Sequence, residues 1–232
     1  MSDDVGLPVA LVTGASRGLG LAIARALGQR FHILLGGRDA VALTALAAGF
    51  PSAAPFAADL ADSAATQAAV AGIGRLDVLV HSAGTAPYLR IEEADVAQWR
   101  RVLELNLVGV AELTRLLLPA LREANGHVVV INAGLGLHTG PGWALYSASK
   151  YGLRAFTDTL RMEERGRVKV TAIHPGRIDT QMQREIYAAQ GRPYRPGAHL
   201  APATVARAVA YVLDAGDEAM VESLQIRPVE EE

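Results

Sequence analysis

The feature that most constrains this chain is an alternation of two hydrophobic patterns along its first half. Short continuous apolar runs ("PVALVTG" 8–14, "FHILLGG" 31–37, "AAPFAADL" 53–60, "RLDVLVHSAG" 75–84) alternate with stretches whose apolar residues recur at helical spacing ("GLGLAIARALGQR" 18–30, "RDAVALTALAAGF" 38–50, "SAATQAAVAGIG" 63–74). A strand that is apolar along its whole length is buried on both faces. Such strands separated by amphipathic helices predict βαβ units and a parallel sheet covered on two sides. The pattern continues with a long helix from about Asp95 to Glu123, a strand in "HVVVINAG" and a helix in "WALYSASKYGLRAFTDTLRMEE". A strand in "VKVTAIHPG", a helix in "PATVARAVAYVLDAG" and a last strand in "MVESLQIRP" complete it. The expectation is an α/β, Rossmann-like, doubly wound parallel sheet of about seven strands. It forms one domain over residues 1–232, interrupted only by a polar, Pro- and Gly-containing loop over 181–200 of the kind that covers a substrate.

The composition narrows the classes of function. The chain has 232 residues, half of them hydrophobic, enough for a sizeable core. Its formal charge of -2 gives no global field for nucleic acid or an anionic membrane. With 0 cysteines there is no disulfide and no thiolate metal site, and no metal is expected. The start "MSDDVGLP" lacks the basic opening of a signal peptide, and no apolar run reaches the ~18–20 residues that span a bilayer. A soluble cytoplasmic protein acting on a small molecule is the expectation.

The first candidate site is "TGASRGLG", Thr13–Gly20, between the first strand and the first helix. Glycines at 14, 18 and 20 permit a tight turn, close approach of a pyrophosphate and close helix–sheet packing, with the amides of the helix start turned to the anion. Gly14, Ser16, Arg17, Gly18, Leu19 and Gly20 are the candidate phosphate-binding residues. An acid at the end of the second strand would hold a ribose 2′-hydroxyl and repel a 2′-phosphate. Here Gly37 stands in that place, followed by Arg38. Arg17 and Arg38 together suit a phosphate, so NADP(H) is expected over NAD(H). Asp39 is read as pointing away, in the first turn of the next helix.

The second candidate site is Tyr146 and Lys150, four residues apart and therefore neighbours on one helix face. A free phenol titrates near ~10, too high for efficient proton exchange at neutral pH. An ammonium beside it, with a positively charged oxidised nicotinamide, would lower that value.

With these motifs in this order the chain resembles the short-chain dehydrogenase/reductase family over about Val9–Pro228. The matching residues are Thr13–Gly20, Asp59, "HSAG" 81–84, Asn106, "YSASK" 146–150 and "PGRIDT" 175–180. The resemblance implies reduction of a ketone or aldehyde to an alcohol, or the reverse, with Tyr146 donating the proton. It implies that Lys150 also binds the nicotinamide ribose, and that Asn106 holds a water completing a proton relay. By the same resemblance Asp59 and Leu60 hold the adenine, and Ala83 and Gly84 lie along the cofactor. Pro175, Gly176, Ile178 and Thr180 line the nicotinamide, and a homodimer or homotetramer forms through the two long helices. His81 departs from the family's usual asparagine and reads as a strand-end histidine with a satisfied ring nitrogen.

One family residue is missing. The serine that orients the substrate oxygen is replaced by Ala133 in the commonest loop register and by Asn132 if the loop is one residue longer. In a regular strand the two side chains point to opposite faces and cannot both reach the pocket. Asn132 would supply an amide donor; Ala133 would supply none, leaving water, His138 or Thr139 to compensate. The alternative function is an NADP(H)-binding sensor or scaffold without turnover. Trp143, Leu135, Leu137, Tyr88 and the segment around Tyr187 are candidates for an apolar pocket. Arg184, Arg192 and Arg195 are read as a solvated loop rather than an anion site.

Overall fold

The computed structural model describes residues 6–229; the acidic start at 1–5 and the end of the acidic tail at 230–232 lie outside the described residues. Seven strands, β1 (Val9–Val12), β2 (His32–Gly37), β3 (Ala53–Ala57), β4 (Val78–His81), β5 (His127–Ile131), β6 (Lys169–Pro175) and β7 (Ser223–Ile226), form one sheet. Every pairing is parallel and the order is β3-β2-β1-β4-β5-β6-β7. The chain winds outward from β1 in one direction and then from β4 in the other. The crevice between the carboxyl ends of β1 and β4 is therefore the topological switch point at which such sheets bind ligands.

The helices are α1 (Gly18–Leu27), α2 (Ala40–Ala47), α3 (Ser63–Val70), α4 (Val96–Leu103), α5 (Gly109–Glu123), α6 (Ala144–Glu163), α7 (Gln181–Ala189) and α8 (Pro202–Leu213). Strand alternation sorts β1 between two cores. Ala10 and Val12 pack with Ile23 and Leu27 of α1, Leu43 of α2 and Val205 and Val209 of α8. Leu11, on the opposite face, packs with Leu113, Leu117 and Leu121 of α5 and Leu153 and Leu160 of α6. Both faces of the sheet are thus covered, as the uninterrupted apolar strands predict.

Two elements differ from the sequence reading. The stretch from 96 to 123 is helical throughout, but Glu104–Val108 makes a π turn in which the Gly109 amide reaches back to the Glu104 carbonyl. The segment read as an irregular loop over 181–200 holds the nine-residue helix α7. Thr180 caps it, its side-chain oxygen accepting from the Gln183 amide at 3.3 Å, and Ile186 and Tyr187 bury one face.

Candidate active site

The turn after β1 is shaped by its backbone. Gly14 and Gly18 have φ of +67° and +57°, a region that side chains with a Cβ rarely adopt. A Cβ at Gly20 would collide with the Gly14 carbonyl, so the first turn of α1 is pressed onto the loop. Thr13 Oγ1 accepts from the amides of Ser82 and Ala83 at 3.0 and 3.1 Å, tying the end of β1 to the segment after β4. Arg17 precedes α1 with extended backbone and no side-chain cap, leaving the first amides of the helix to an external acceptor. Ser16, Arg17 and Gly18 are exposed, whereas Leu19 packs against the core.

The Ala15 amide donates to the Gly36 carbonyl at 2.8 Å, which draws the glycine turn against the end of β2, and Arg38 follows directly after that strand. Arg17 and Arg38 are both exposed, and neither has a hydrogen-bond or ion-pair partner among the described residues. Asp39 caps α2, accepting from the Ala42 amide at 3.0 Å. Asp59 is exposed and accepts from the Ala61 amide at 3.1 Å. Leu60 is buried in the core beneath α5, so only its main chain remains for a ligand. Pro175 ends β6; Gly176, Ile178 and Thr180 follow along the cleft, with the Thr180 methyl 3.6 Å from where a Gly18 Cβ would stand.

Tyr146 and Lys150 lie one turn apart near the start of α6; Tyr146 lines a cleft whose wall does not include the glycine turn. The Lys150 ammonium is 5.7 Å from the Tyr146 ring centre and donates to the Ile131 carbonyl at 3.0 Å. Burial lowers the Lys150 pKa to about 8. Burial also pushes the Tyr146 phenol up rather than down, so in the cofactor-free protein it is held protonated. Its hydroxyl has no hydrogen-bond partner among the described residues, and the residue lines the cleft. Trp143 packs against Tyr146 with ring centres 5.9 Å apart, and Tyr88 meets Trp143 edge-on at 5.3 Å, outside the cleft wall itself.

Asn106 sits in the middle of the π turn, a device frequent at functional sites. Its Oδ1 accepts from the Thr85 amide at 2.9 Å, and its Nδ2 donates to the Thr85 carbonyl at 2.8 Å and to Ser149 Oγ at 3.0 Å. Both amide hydrogens are therefore committed. The side chain clamps the segment after Ala83 and Gly84 to α6, and a water relay at this residue would have to use its main chain. His81 is buried; its Nε2 lies 2.9 Å from Thr114 Oγ1, which itself donates to the Val110 carbonyl, so Nε2 carries the hydrogen. Its Nδ1 has no partner, and burial, reinforced by Lys150, lowers its pKa to about 3. It is a neutral histidine outside the cleft wall, with one ring nitrogen satisfied and one not.

The question of the missing serine has a structural answer. The chain leaves β5 at Ile131, so strand alternation no longer governs the next residues, and Asn132 and Ala133 both border the cleft. Asn132 is 2% exposed. Its Oδ1 accepts from the Ala133 amide at 2.9 Å and its Nδ2 donates to the Lys150 carbonyl at 3.2 Å, which fastens the loop to α6. The methyl of Ala133, at the head of a short 3₁₀ turn over Gly134–Gly136, brings no donor. His138 borders the cleft, while the Thr139 hydroxyl is spent on Ser147 Oγ at 3.0 Å.

The cleft encloses about 410 Å³. Leu135, Trp143, Met182 and Ile186 give it apolar wall, and Arg177, Arg192 and Arg227 border it as well; among the described residues no aspartate or glutamate does. Leu137 does not border it, and Arg184 instead pairs with Asp179 at 2.8 Å. Sequence reasoning did not single out Arg177 or Arg227; it named the segment around Tyr187 as pocket wall but not as a helix. The readable signal for Arg227 is its place just after β7, at the carboxyl edge of a parallel sheet. No cluster of His, Asp or Glu suited to a metal occurs among the described residues, and no described helix is long and apolar enough to cross a membrane.

Comparison with known proteins agrees with this architecture. The family model described as short chain dehydrogenase matches residues 8–191. An uncharacterised oxidoreductase of Staphylococcus epidermidis is 32% identical, covering 95% of this chain and 97% of that protein. Dehydrogenase/reductase SDR family member 7B of Mus musculus is 37% identical over 80% of this chain and 62% of its own length. Among solved structures, an alcohol dehydrogenase from the archaeon Thermococcus sibiricus, complexed with 5-hydroxy-NADP, superposes with a TM-score of 0.86 at 28% identity, covering 98% of this chain and 99% of that one. A serine dehydrogenase complexed with NADP+ gives 0.86 at 27% identity, covering 97% and 96%. The chain belongs to the short-chain dehydrogenase/reductase family and is an oxidoreductase of that family.

Proposed function

We propose that the protein interconverts a ketone or aldehyde and the corresponding alcohol with NADP(H), used in preference to NAD(H). The observation that carries this reading is the Tyr146 hydroxyl, unpartnered among the described residues, bordering the cleft one helical turn from the buried Lys150 ammonium. The residues present fit a dinucleotide: the turn at Gly14–Gly20 has no room for side chains at its closest approaches, and the helix start above it has uncapped amides. Arg17 and Arg38 would hold a 2′-phosphate, Asp59 and the Leu60 main chain the adenine, and Ala83, Gly84 and the 175–180 segment the rest of the cofactor. When bound, the nicotinamide supplies the hydride to a carbonyl carbon or takes it back from an alcohol.

The chain's own residues handle the proton. In reduction Tyr146 gives its hydroxyl proton to the substrate oxygen; in oxidation it accepts one. Burial keeps the phenol in its protonated form, the state that reduction needs. Lys150 spends one ammonium hydrogen on Ile131, leaving the others for the ribose and for stabilising the phenolate after transfer. Asn106 acts through position, holding the Thr85 segment against α6. Losing an oxyanion-hole donor costs ~3–4 kcal/mol in acyl transfer, and the Ala133 position lacks a comparable donor here. A neutral carbonyl polarised by Tyr146 tolerates that loss. Assembly into a dimer or tetramer is proposed through α5 and α6, on which Tyr151 and, just before α5, Val108 are exposed.

A second reading, an NADP(H)-binding protein without turnover, is favoured by Ala133 alone. Fluorescence titration with NADPH followed by absorbance assays on a panel of carbonyl compounds separates the two. The enzyme binds NADPH at micromolar levels and oxidises it with at least one carbonyl. Binding with no oxidation across the panel would support the second reading and overturn the first.

A further inference from the structure

We propose that Arg227 binds a carboxylate of the substrate, so that the carbonyl compounds this protein reduces are oxo acids and the alcohols it oxidises are hydroxy acids. The inference rests on the carbonyl–alcohol reading above and names its substrate class.

The first support is how Arg227 is seated. The Gly176 amide donates to the Ile226 carbonyl at 2.7 Å, and a Cβ at Gly176 would stand 2.7 Å from Pro228 Cδ. The absence of a side chain at 176 lets the chain leaving β7 close over the end of β6. A Cβ at Gly134 would stand 2.8 Å from Arg227 Nη1. The guanidinium therefore lies against the residue next to Ala133, at the wall where the family's serine would present its hydroxyl. Two glycines from separate parts of the chain leave the space this one side chain fills.

The second support is what the guanidinium lacks. Nη1 donates to the His174 carbonyl at 3.3 Å and Nη2 to the Gln225 side-chain carbonyl at 3.5 Å, two long bonds to neutral acceptors out of five donors. No carboxylate pairs with it among the described residues. Elsewhere in the fold guanidinium groups meet acids closely: Arg122 with Glu164, Arg115 with Glu112 and Arg184 with Asp179. Arg227 is only partly exposed, and a half-buried cation with no counter-charge among the described residues is costly unless an anion arrives.

The third support is what surrounds it. Arg177 and Arg192, each with a partner of its own, border the same cleft, and no aspartate or glutamate among the described residues borders it to compete for the Arg227 fork. A carboxylate held in the planar fork of Arg227 is fixed in direction as well as position. That orients the neighbouring carbonyl without a hydroxyl at residue 133, which gives the Ala133 site a physical rationale: charge at one end of the substrate replaces a hydrogen bond at the other.

The test uses 2-oxobutanoate, 3-oxobutanoate and 4-oxopentanoate, each against its methyl ester, with NADPH. The expected result is that at least one acid exceeds its ester by about 100-fold or more in kcat/KM. In Arg227→Met that ratio should fall to within about threefold of unity, and Arg227→Lys should keep part of it. Equal turnover of acids and esters by the unaltered protein, or an unchanged acid-to-ester ratio in Arg227→Met, would overturn the proposal while leaving carbonyl reduction standing. If neither acids nor esters are reduced, the carbonyl panel above decides the catalytic reading, and calorimetric titration of the NADP+-loaded protein with butanoate decides the binding claim alone. Binding that Arg227→Met abolishes supports it; no binding, or binding indifferent to the substitution, overturns it.

Discussion

The turn after β1 and the turn after β5 are both rich in glycine, and they use it for different reasons. In the first, Gly14 and Gly18 occupy left-handed backbone and Gly20 is pressed on the Gly14 carbonyl, so the requirement is local and belongs to the main chain. In the second, Gly134 has ordinary backbone and is crowded instead by the Arg227 guanidinium, which arrives from the far end of the sequence. The first turn is shaped by its own backbone, which is what the proposed pyrophosphate site asks of it. The second makes room for a side chain from a distant part of the sequence. Spacing in sequence reports the first kind of constraint and is silent on the second.

The largest effect that would sharpen this contrast is at the main-chain glycine. Gly20→Val should lower NADPH affinity more than about 100-fold and lower the melting temperature, because the collision is with backbone that cannot move away cheaply. Gly134→Ala meets only the end of a flexible side chain, so NADPH affinity should stay within about threefold while substrate selectivity changes. Equal loss of cofactor binding in both variants, measured by fluorescence titration and thermal melting, would erase the distinction.

Next comes the phosphate rim. Replacing Arg17 and Arg38 together by serine should weaken NADPH binding by about 10- to 100-fold and NADH binding by much less, since two charge-assisted hydrogen bonds screened by solvent at exposed arginines are together worth about 1.5–3 kcal/mol. An unchanged ratio of the two affinities would remove NADP(H) preference from the account.

A smaller effect concerns pH. Lys150 is a cation whose folded pKa is lowered to about 8, so it is charged at neutral pH and loses its charge as pH rises through that value. Reduction should therefore fall on the alkaline side with an apparent pKa near about 8, and the limb should move upward in Lys150→Arg, whose guanidinium stays charged. The sign for stability is opposite: between about 8 and the ordinary lysine value the unfolded chain binds more protons, so this residue's contribution to stability rises with pH in that window. The smallest expected change is a gain. Ala133→Ser should raise kcat for a neutral ketone by up to about tenfold by restoring one donor, with little effect on NADPH affinity.

Much of the cofactor end is legible in the order of residues alone. The glycine spacing and the Arg38 position after β2 follow from local rules; Asp39, read into the first turn of α2, stands just before it as its cap on the Ala42 amide. The substrate end is less so. Asn132 and Ala133 cannot be ordered by strand alternation because the strand ends at Ile131. The π turn at Glu104–Val108 adds one residue to a helical repeat without disturbing its composition, and so leaves no mark in the pattern. Helix α7 escapes a reading by composition because its prolines and glycines lie just beyond it; the Thr180 cap and the Met182–Ile186 spacing are the available signals. Arg192, read as a solvated loop residue, is exposed after the end of α7 and also borders the cleft.

The central claim is that one phenol transfers the proton in a site whose serine is gone. The direct measurement is Tyr146→Phe, which keeps the ring against Trp143 and deletes only the hydroxyl, assayed in parallel for NADPH affinity and carbonyl reduction. The account predicts affinity within about threefold of the unaltered protein and turnover reduced by about 100-fold or more, the scale of a lost general acid. Turnover equal to that of the unaltered protein, with affinity likewise unchanged, would contradict it.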